Sequence, residues 1–200
     1  MRTQRLEAFS DGVLAIIVTV MVLELHAPEG PHLSDLMHSA TGLLTYLLSF
    51  IYVGIYWNNH HHMFQIVRRV SGRVLWANLA LLFCLSLTPF TTAWMDDTRF
   101  ARTPVMVYGV DLLLCAITYF VLQTVVIRAD GKNSPLAEAL GADRKGRMSP
   151  VIYLLGILGC LVSPWVGIVA YVVVAVIWLV PDTRVERYLE AHPDVADTAG

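Results

Sequence analysis

Three consecutive histidines, His60, His61 and His62, follow Tyr56-Trp57-Asn58-Asn59 and form the most chemically versatile stretch of the 200-residue chain. Imidazole titrates near neutrality and ligates metals. Adjacent helical positions point in different directions, however, and a shared metal prefers i, i+4 spacing on one face. The triplet by itself therefore predicts hydrogen-bonded structural partners rather than a metal or haem site, with a pH-sensing role left open. A second polar cluster, Ser10 and Asp11 with Glu7 one turn earlier, opens the first apolar run. Asn78 and Asp111 are isolated polar residues inside later apolar runs. Cys84, Cys115 and Cys160 each sit in a separate apolar run, which is neither a disulfide framework nor a zinc spacing; they read as small buried hydrophobes. No nucleophile–base constellation and no glycine-rich phosphate loop stands out, so the chain is not expected to be an enzyme.

The elements that position these groups follow from composition. The chain is 56% hydrophobic and only 15% charged, with mean hydropathy +0.59, whereas soluble domains carry about 25% charged residues. Apolar runs recur at Leu6–Leu25, Leu36–Trp57, Val74–Trp94, Val105–Ile127, Val151–Pro164 and Trp165–Val180. The first four reach the roughly 20 residues needed to cross a bilayer. The last two flank Ser163-Pro164-Trp165, whose proline predicts a turn and hence a tight hairpin of two short spans. The expectation is an all-α polytopic membrane protein of six spans, with residues 1–182 as the transmembrane unit and 183–200 as a short tail. Asp11 interrupts the first run and no A-x-A site follows it, so this run is a spanning helix and not a cleaved signal.

Basic residues set the orientation. Arg2, Arg5, Arg68, Arg69, Arg73, Arg128, Lys132, Arg144, Lys145, Arg147, Arg184 and Arg187 fall on one side of a six-span arrangement. Only Arg99 and Arg102 fall on the other, beside Asp96 and Asp97. The positive-inside bias places both termini in the cytoplasm. The excess of arginine over lysine points to a GC-rich bacterial genome.

The first helix poses a problem of length. Gly12 to Leu25 covers only about 21 Å of axis, against a hydrocarbon core about 30 Å thick. Spanning requires a start near Leu6, which draws Ser10 and Asp11 toward membrane depth, where an ionisable residue is a functional-site hypothesis. At 100° per residue, Gly12, Ile16, Val20 and Leu23 share one stripe, with Thr19 at its edge and Phe9 within roughly 20° of Ile16. Ser10 and Asp11 fall on the opposite side. Spacing alone reads the stripe as lipid contact or helix packing. Glu24 reads as a solvated helix end, or as an acid at the outer mouth that concentrates cations.

The motifs Arg5-x-x-x-Phe9-Ser10-Asp11, Tyr56-Trp57-x-x-His60-His61-x-Met63-Phe64, Asn78 and Pro89-Phe90 resemble the bacterial branch of the transmembrane-protein-175 potassium channel family. The resemblance is specific over the first three spans and matches elsewhere only in span number and length. It implies a cation channel with modest K+ over Na+ selectivity, built from four identical chains whose first helices line the ion path. The chain lacks a TVGYG-like filter, as that architecture requires. By position, Ile16, Val20 and Leu23 match the family's aliphatic constriction, with Thr19 beside it. Arg5, Phe9, Ser10, Asp11, Trp57, His60, His61 and Asn78 match a structural polar hub, in which Arg5, Ser10 and Asp11 are expected to bond His60, His61, Trp57 or Asn78. His62 has no counterpart in that pattern. The resemblance implies no catalytic residue, metal or cofactor, with K+ as permeant ion. Its implied partners are three further copies, the bilayer of a bacterial plasma membrane and monovalent cations, with no nucleic acid. The alternatives are a proton-coupled small-solute transporter and a haem- or metal-binding membrane protein using His60–His62. A transporter predicts a broken helix with an acid near the midplane, while Asp11 is expected in the cytoplasmic third and Asp111 stands alone.

Overall fold

A computed structural model describes residues 3–28, 30–67, 70–131, 134–140 and 143–179. Among these, eight helices occur in the order α1 (Thr3–Leu23), α2 (Leu33–His38), α3 (Ala40–Gln65), α4 (Gly72–Asp97), α5 (Arg102–Asp130), α6 (Pro135–Leu140), α7 (Arg144–Gly159) and α8 (Pro164–Leu179). The helices α1, α3, α4 and α5 are long and apolar enough to cross a membrane. The 16-residue helices α7 and α8 reach only about 24 Å each. They pack on each other as a hairpin and dock onto α5. The tail at 183–200 lies outside the described residues.

Local chemistry accounts for the boundaries. The helix α1 begins at Thr3, a turn before the first apolar run, and so includes Arg5 and Glu7. Pro28 and Pro31 cannot continue it. The second run is broken at Ser39, whose backbone N–H bonds the carbonyls of Leu36 and Met37, leaving α2 as a separate short helix. Beyond it α3 runs through Gln65, so that all three histidines are helical instead of following a helix that stops at Trp57. Ser71 caps α4 by accepting a hydrogen bond from the Val74 amide. Pro89 lies inside α4 and removes one rung of its backbone ladder, in a turn that also carries Thr88, Thr91 and Thr92.

The turn from α4 to α5 closes through two left-handed residues, Arg99 (φ 49°) and Phe100 (φ 60°). The Phe100 amide bonds Met95 O at 2.9 Å and the Arg99 amide bonds Asp96 O at 2.8 Å, which satisfies carbonyls orphaned at the helix end. The Phe100 ring then packs on Trp165, 5.2 Å between centroids, tying this turn to the start of α8. Inside the bundle, α4 and α5 share the most extensive contact, and α8 reaches α3 and α5. A Cβ on Gly109 would collide with the Tyr171 hydroxyl, so α5 needs glycine where α8 crosses it. The helix α1 stands at the margin of this assembly and packs mainly on α3 and α4.

Candidate functional site: the two faces of the first helix

The helix α1 buries Leu6, Ser10, Leu14, Ile17 and Met21, a row at i, i+4 and i+3 steps facing α3 and α4. Its other face is bare. Ile16 is 64% exposed, Val20 38% and Leu23 76%. Thr19 is exposed beside them and donates its hydroxyl to Ala15 O at 2.8 Å, which leaves oxygen lone pairs outward. Ile16 and Val20 also border a groove of about 600 Å³, whose far wall is the Ser86, Phe90 and Trp94 face of α4.

The buried face carries a chain of hydrogen bonds whose direction is fixed by its first link. Ser10 Oγ donates to Leu6 O at 2.9 Å, because a carbonyl can only accept. Ser10 therefore accepts from Asn78 Nδ2 at 3.0 Å. That orientation of the amide turns Asn78 Oδ1 toward His60 Nε2 at 2.8 Å, so His60 carries its proton on Nε2. Ser10, Asn78 and His60 are all buried, and Phe64 covers the imidazole at 4.6 Å between ring centroids. One chain of bonds thus joins α1, α4 and α3. Lipid tails are as apolar as leucine and give packed helices no hydrophobic advantage. Each such bond contributes about 1 kcal/mol of fixed geometry.

A second arm lies nearer the surface. Trp57 Nε1 donates to Asp11 Oδ1 at 3.0 Å, and its indole stacks on His61 with centroids 6.0 Å apart and planes 11° apart. The Gln65 amide nitrogen lies 2.9 Å from His61 Nε2. An amide NH2 can only donate, so His61 accepts there and places its remaining proton on Nδ1. That nitrogen lies 3.6 Å from Glu7 Oε1. His62 turns back to Gln65 Oε1 at 3.4 Å. The three imidazoles diverge, toward α4, α1 and their own helix respectively. Among the described residues no group of three His, Cys, Asp or Glu side chains converges on a metal-sized space.

Two residues expected in the hub lie elsewhere. Arg5 is exposed and its guanidinium makes no hydrogen bond or ion pair among the described residues. Phe9 is 53% exposed; seven residues before Ile16, it repeats the angle of the bare stripe. Two contributors lie outside the expected hub: Glu7, grouped by sequence with Ser10 and Asp11 but given no partner there, and Gln65. Both were signalled by helical spacing, Glu7 four residues before Asp11 and Gln65 four after His61.

A third polar group is built differently. Asp111 on α5 is 3% exposed. Its Oδ2 accepts from Thr88 Oγ1 and Thr91 Oγ1, both at 3.2 Å, while Oδ1 has no partner. Nearby, Ser49 bonds Thr92 at 2.7 Å and Tyr108 at 3.0 Å, which links α3, α4 and α5.

A family model described as endosomal/lysosomal potassium channel TMEM175 matches residues 5–89. A potassium channel of Chryseobacterium sp. (strain P1-3) is 52% identical over 188 residues, covering 94% of this chain and 98% of that protein. A potassium channel of Streptomyces collinus is 29% identical over 163 residues, 78% of this chain and 77% of that protein. The crystal structure of a lysosomal potassium-selective channel TMEM175 homolog from Chamaesiphon minutus aligns with TM-score 0.78 at 28% identity, over 90% of this chain and 97% of that one. The matched segment contains the bare stripe and both arms of the hydrogen-bonded anchor behind it. The chain belongs to the TMEM175 family.

Proposed function

We propose that this chain is one subunit of a potassium-permeable channel in a bacterial plasma membrane, in which four copies set their first helices around the ion path. The observation that carries the reading is the contrast between the faces of α1. Ser10 and Asp11 hold one face to α3 and α4, while Ile16, Thr19, Val20 and Leu23 remain uncovered by their own chain. Family membership and the names of the relatives support the same assignment.

In this arrangement Ile16, Val20 and Leu23 form an apolar neck that gates by dewetting. Selectivity for K+ over Na+ comes from neck diameter and the outward lone pairs of Thr19, and is modest. The hub of Ser10, Asp11, Trp57, His60 and Asn78 positions the neck and does not touch the ion. Six crossings are counted with α7 and α8 as short spans, and both termini lie in the cytoplasm. Residues 1–182 make the channel unit and 183–200 the tail. The channel needs no catalytic residue and no cofactor besides the permeant ion. The proton-coupled transporter reading is less well supported, since α1, α3, α4 and α5 run unbroken for 21, 26, 26 and 29 residues, where a transporter site favours discontinuous helices. The haem reading is weakened by His60, whose Nε2 is committed to Asn78.

The test is Ile16→Asn, with currents recorded in planar bilayers under K+/Na+ bi-ionic conditions. A polar neck wets more readily, so conductance rises and discrimination between K+ and Na+ falls. Unchanged conductance and unchanged selectivity would remove Ile16 from the ion path.

A further inference from the structure

We propose that the groove between the start of α4 and the end of α5 binds the headgroup of an anionic phospholipid. This groove, about 1320 Å³, is lined by Gly72, Arg73 and Trp76 on one side and by Val121, Val125 and Arg128 on the other, with no acidic residue among the described residues of its walls. Arg73 and Arg128 are both exposed, and neither guanidinium makes a hydrogen bond or ion pair among the described residues. Two like charges facing one groove repel. A phosphodiester between them converts that repulsion into charge-assisted, bidentate hydrogen bonds.

The groove also grades from charged to apolar in the order a phospholipid does. Arg73 and Arg128 stand at the end where α4 begins and α5 finishes. Val125 and Val121 follow one and two turns deeper along α5, a track for the first methylenes of an acyl chain. Trp76, one turn inside Arg73 and 76% exposed, has the amphipathic ring that prefers headgroup depth. The first amides of α4, beyond the Ser71 cap, add a partial positive charge at the same place. Basic pockets between helices on the cytoplasmic side recognise anionic headgroups by this chemistry. A zwitterionic lipid offers the same phosphate with its own cation attached, so the site prefers a lipid of net negative charge, such as phosphatidylglycerol. The inference rests on the membrane orientation proposed above but not on the permeant ion. A variant that fails to conduct leaves it untouched, and it fails or stands on lipid binding alone.

The experiment reconstitutes the full chain into vesicles containing a small fraction of lipid brominated on its acyl chains, either phosphatidylglycerol or phosphatidylcholine, and reads quenching of tryptophan fluorescence. Brominated phosphatidylglycerol is expected to quench at a lower mole fraction than brominated phosphatidylcholine, by a factor on the order of tenfold for two surface arginines. The difference should vanish in Trp76→Phe, which removes the groove's own reporter and leaves the other four tryptophans, and in the Arg73→Gln/Arg128→Gln double variant, which keeps that reporter and removes the charge. Equal quenching by the two lipids in the parent protein overturns the proposal. So does a phosphatidylglycerol preference that survives the double variant. Quenching by either lipid that is the same in the parent and in Trp76→Phe overturns it as well, since Trp76 is then out of reach of lipid. Should the double variant not fold, raising the salt concentration with the parent protein replaces it, and a preference unaffected by salt counts against the site.

Discussion

Two of the buried polar clusters among the described residues are satisfied to different degrees. Between α1, α3 and α4, Ser10, Asn78 and His60 pass hydrogen bonds of 2.9, 3.0 and 2.8 Å along one line, each donor with its acceptor. Between α4 and α5, two threonines converge on one oxygen of Asp111 and the other oxygen has none. The difference follows the packing around each. Among the described helices α4 and α5 share the broadest interface, and Leu81 and Leu85 of α4 and Leu112, Cys115 and Leu122 of α5 are buried in the apolar core. An unsatisfied oxygen is tolerated there because many other contacts hold the two helices. The helix α1 has half its surface bare and packs mainly on α3 and α4. Its rotation about its own axis is set by the polar chain, which is complete.

The contrast can be broken by substitution. The largest effect is expected at Asn78→Leu, which strands the His60 N–H and the Ser10 oxygen in an apolar interior. A loss of about 2–3 kcal/mol follows from two interhelical bonds and the desolvation of their orphaned partners. It should be read as a lowered melting temperature, or loss of the assembled peak, in detergent. A parent-like melting temperature would mean that the chain of bonds contributes little. The next effect is Asp11→Ala, which removes one acceptor from the half-exposed Trp57 and costs about 1 kcal/mol. Assembly or gating changes while the K+/Na+ permeability ratio does not, because Asp11 points away from the stripe. A normal gate with an altered ratio would instead make Asp11 an ion ligand. The smallest effect is at Asp111→Asn, which keeps an acceptor for Thr88 and Thr91. Stability stays within about 0.5 kcal/mol of the parent or rises above it, since a neutral amide is cheaper to bury than a carboxylate. A cost at Asp111 exceeding that at Asn78 inverts the comparison.

The four long helices were readable from hydropathy because a crossing demands about 20 apolar residues whatever the neighbours do. The α7–α8 hairpin was readable from Pro164, which opens α8, a position where a missing N–H costs nothing. Helix ends were less so. The helix α3 passes Trp57 to Gln65 with its polar side chains bonded to α1, α4 and one another. Hydropathy reads such residues as a terminus, since it cannot see their partners. For the candidate site, the angle calculation placed Ile16, Val20 and Leu23 together and Ser10 opposite, and it also placed Phe9 with the stripe. The resemblance groups Phe9 with the hub, while the helical period sets it beside the stripe, where it is 53% exposed. The resemblance also groups Arg5 with the hub, and its side chain is exposed on this chain. The pairing of His61 with Glu7 depends on how closely α1 and α3 approach, which no single segment encodes.

The link from Asn78 to Ser10 has a mechanical consequence. Ile16 lies six residues beyond Ser10, about 9 Å along the same rigid rod. Turning that rod by roughly 20° sweeps a side-chain atom about 5 Å from the axis through roughly 1.7 Å. A sweep of this size moves Ile16 appreciably. It also carries the 3.0 Å contact between Ser10 and Asn78 beyond hydrogen-bonding range. The shaft is keyed: it cannot turn by small increments while the key is seated. Angular positions of the stripe are therefore set in steps, one with the key engaged and others with it withdrawn, and conductance levels in single-molecule recordings should be discrete in the same way.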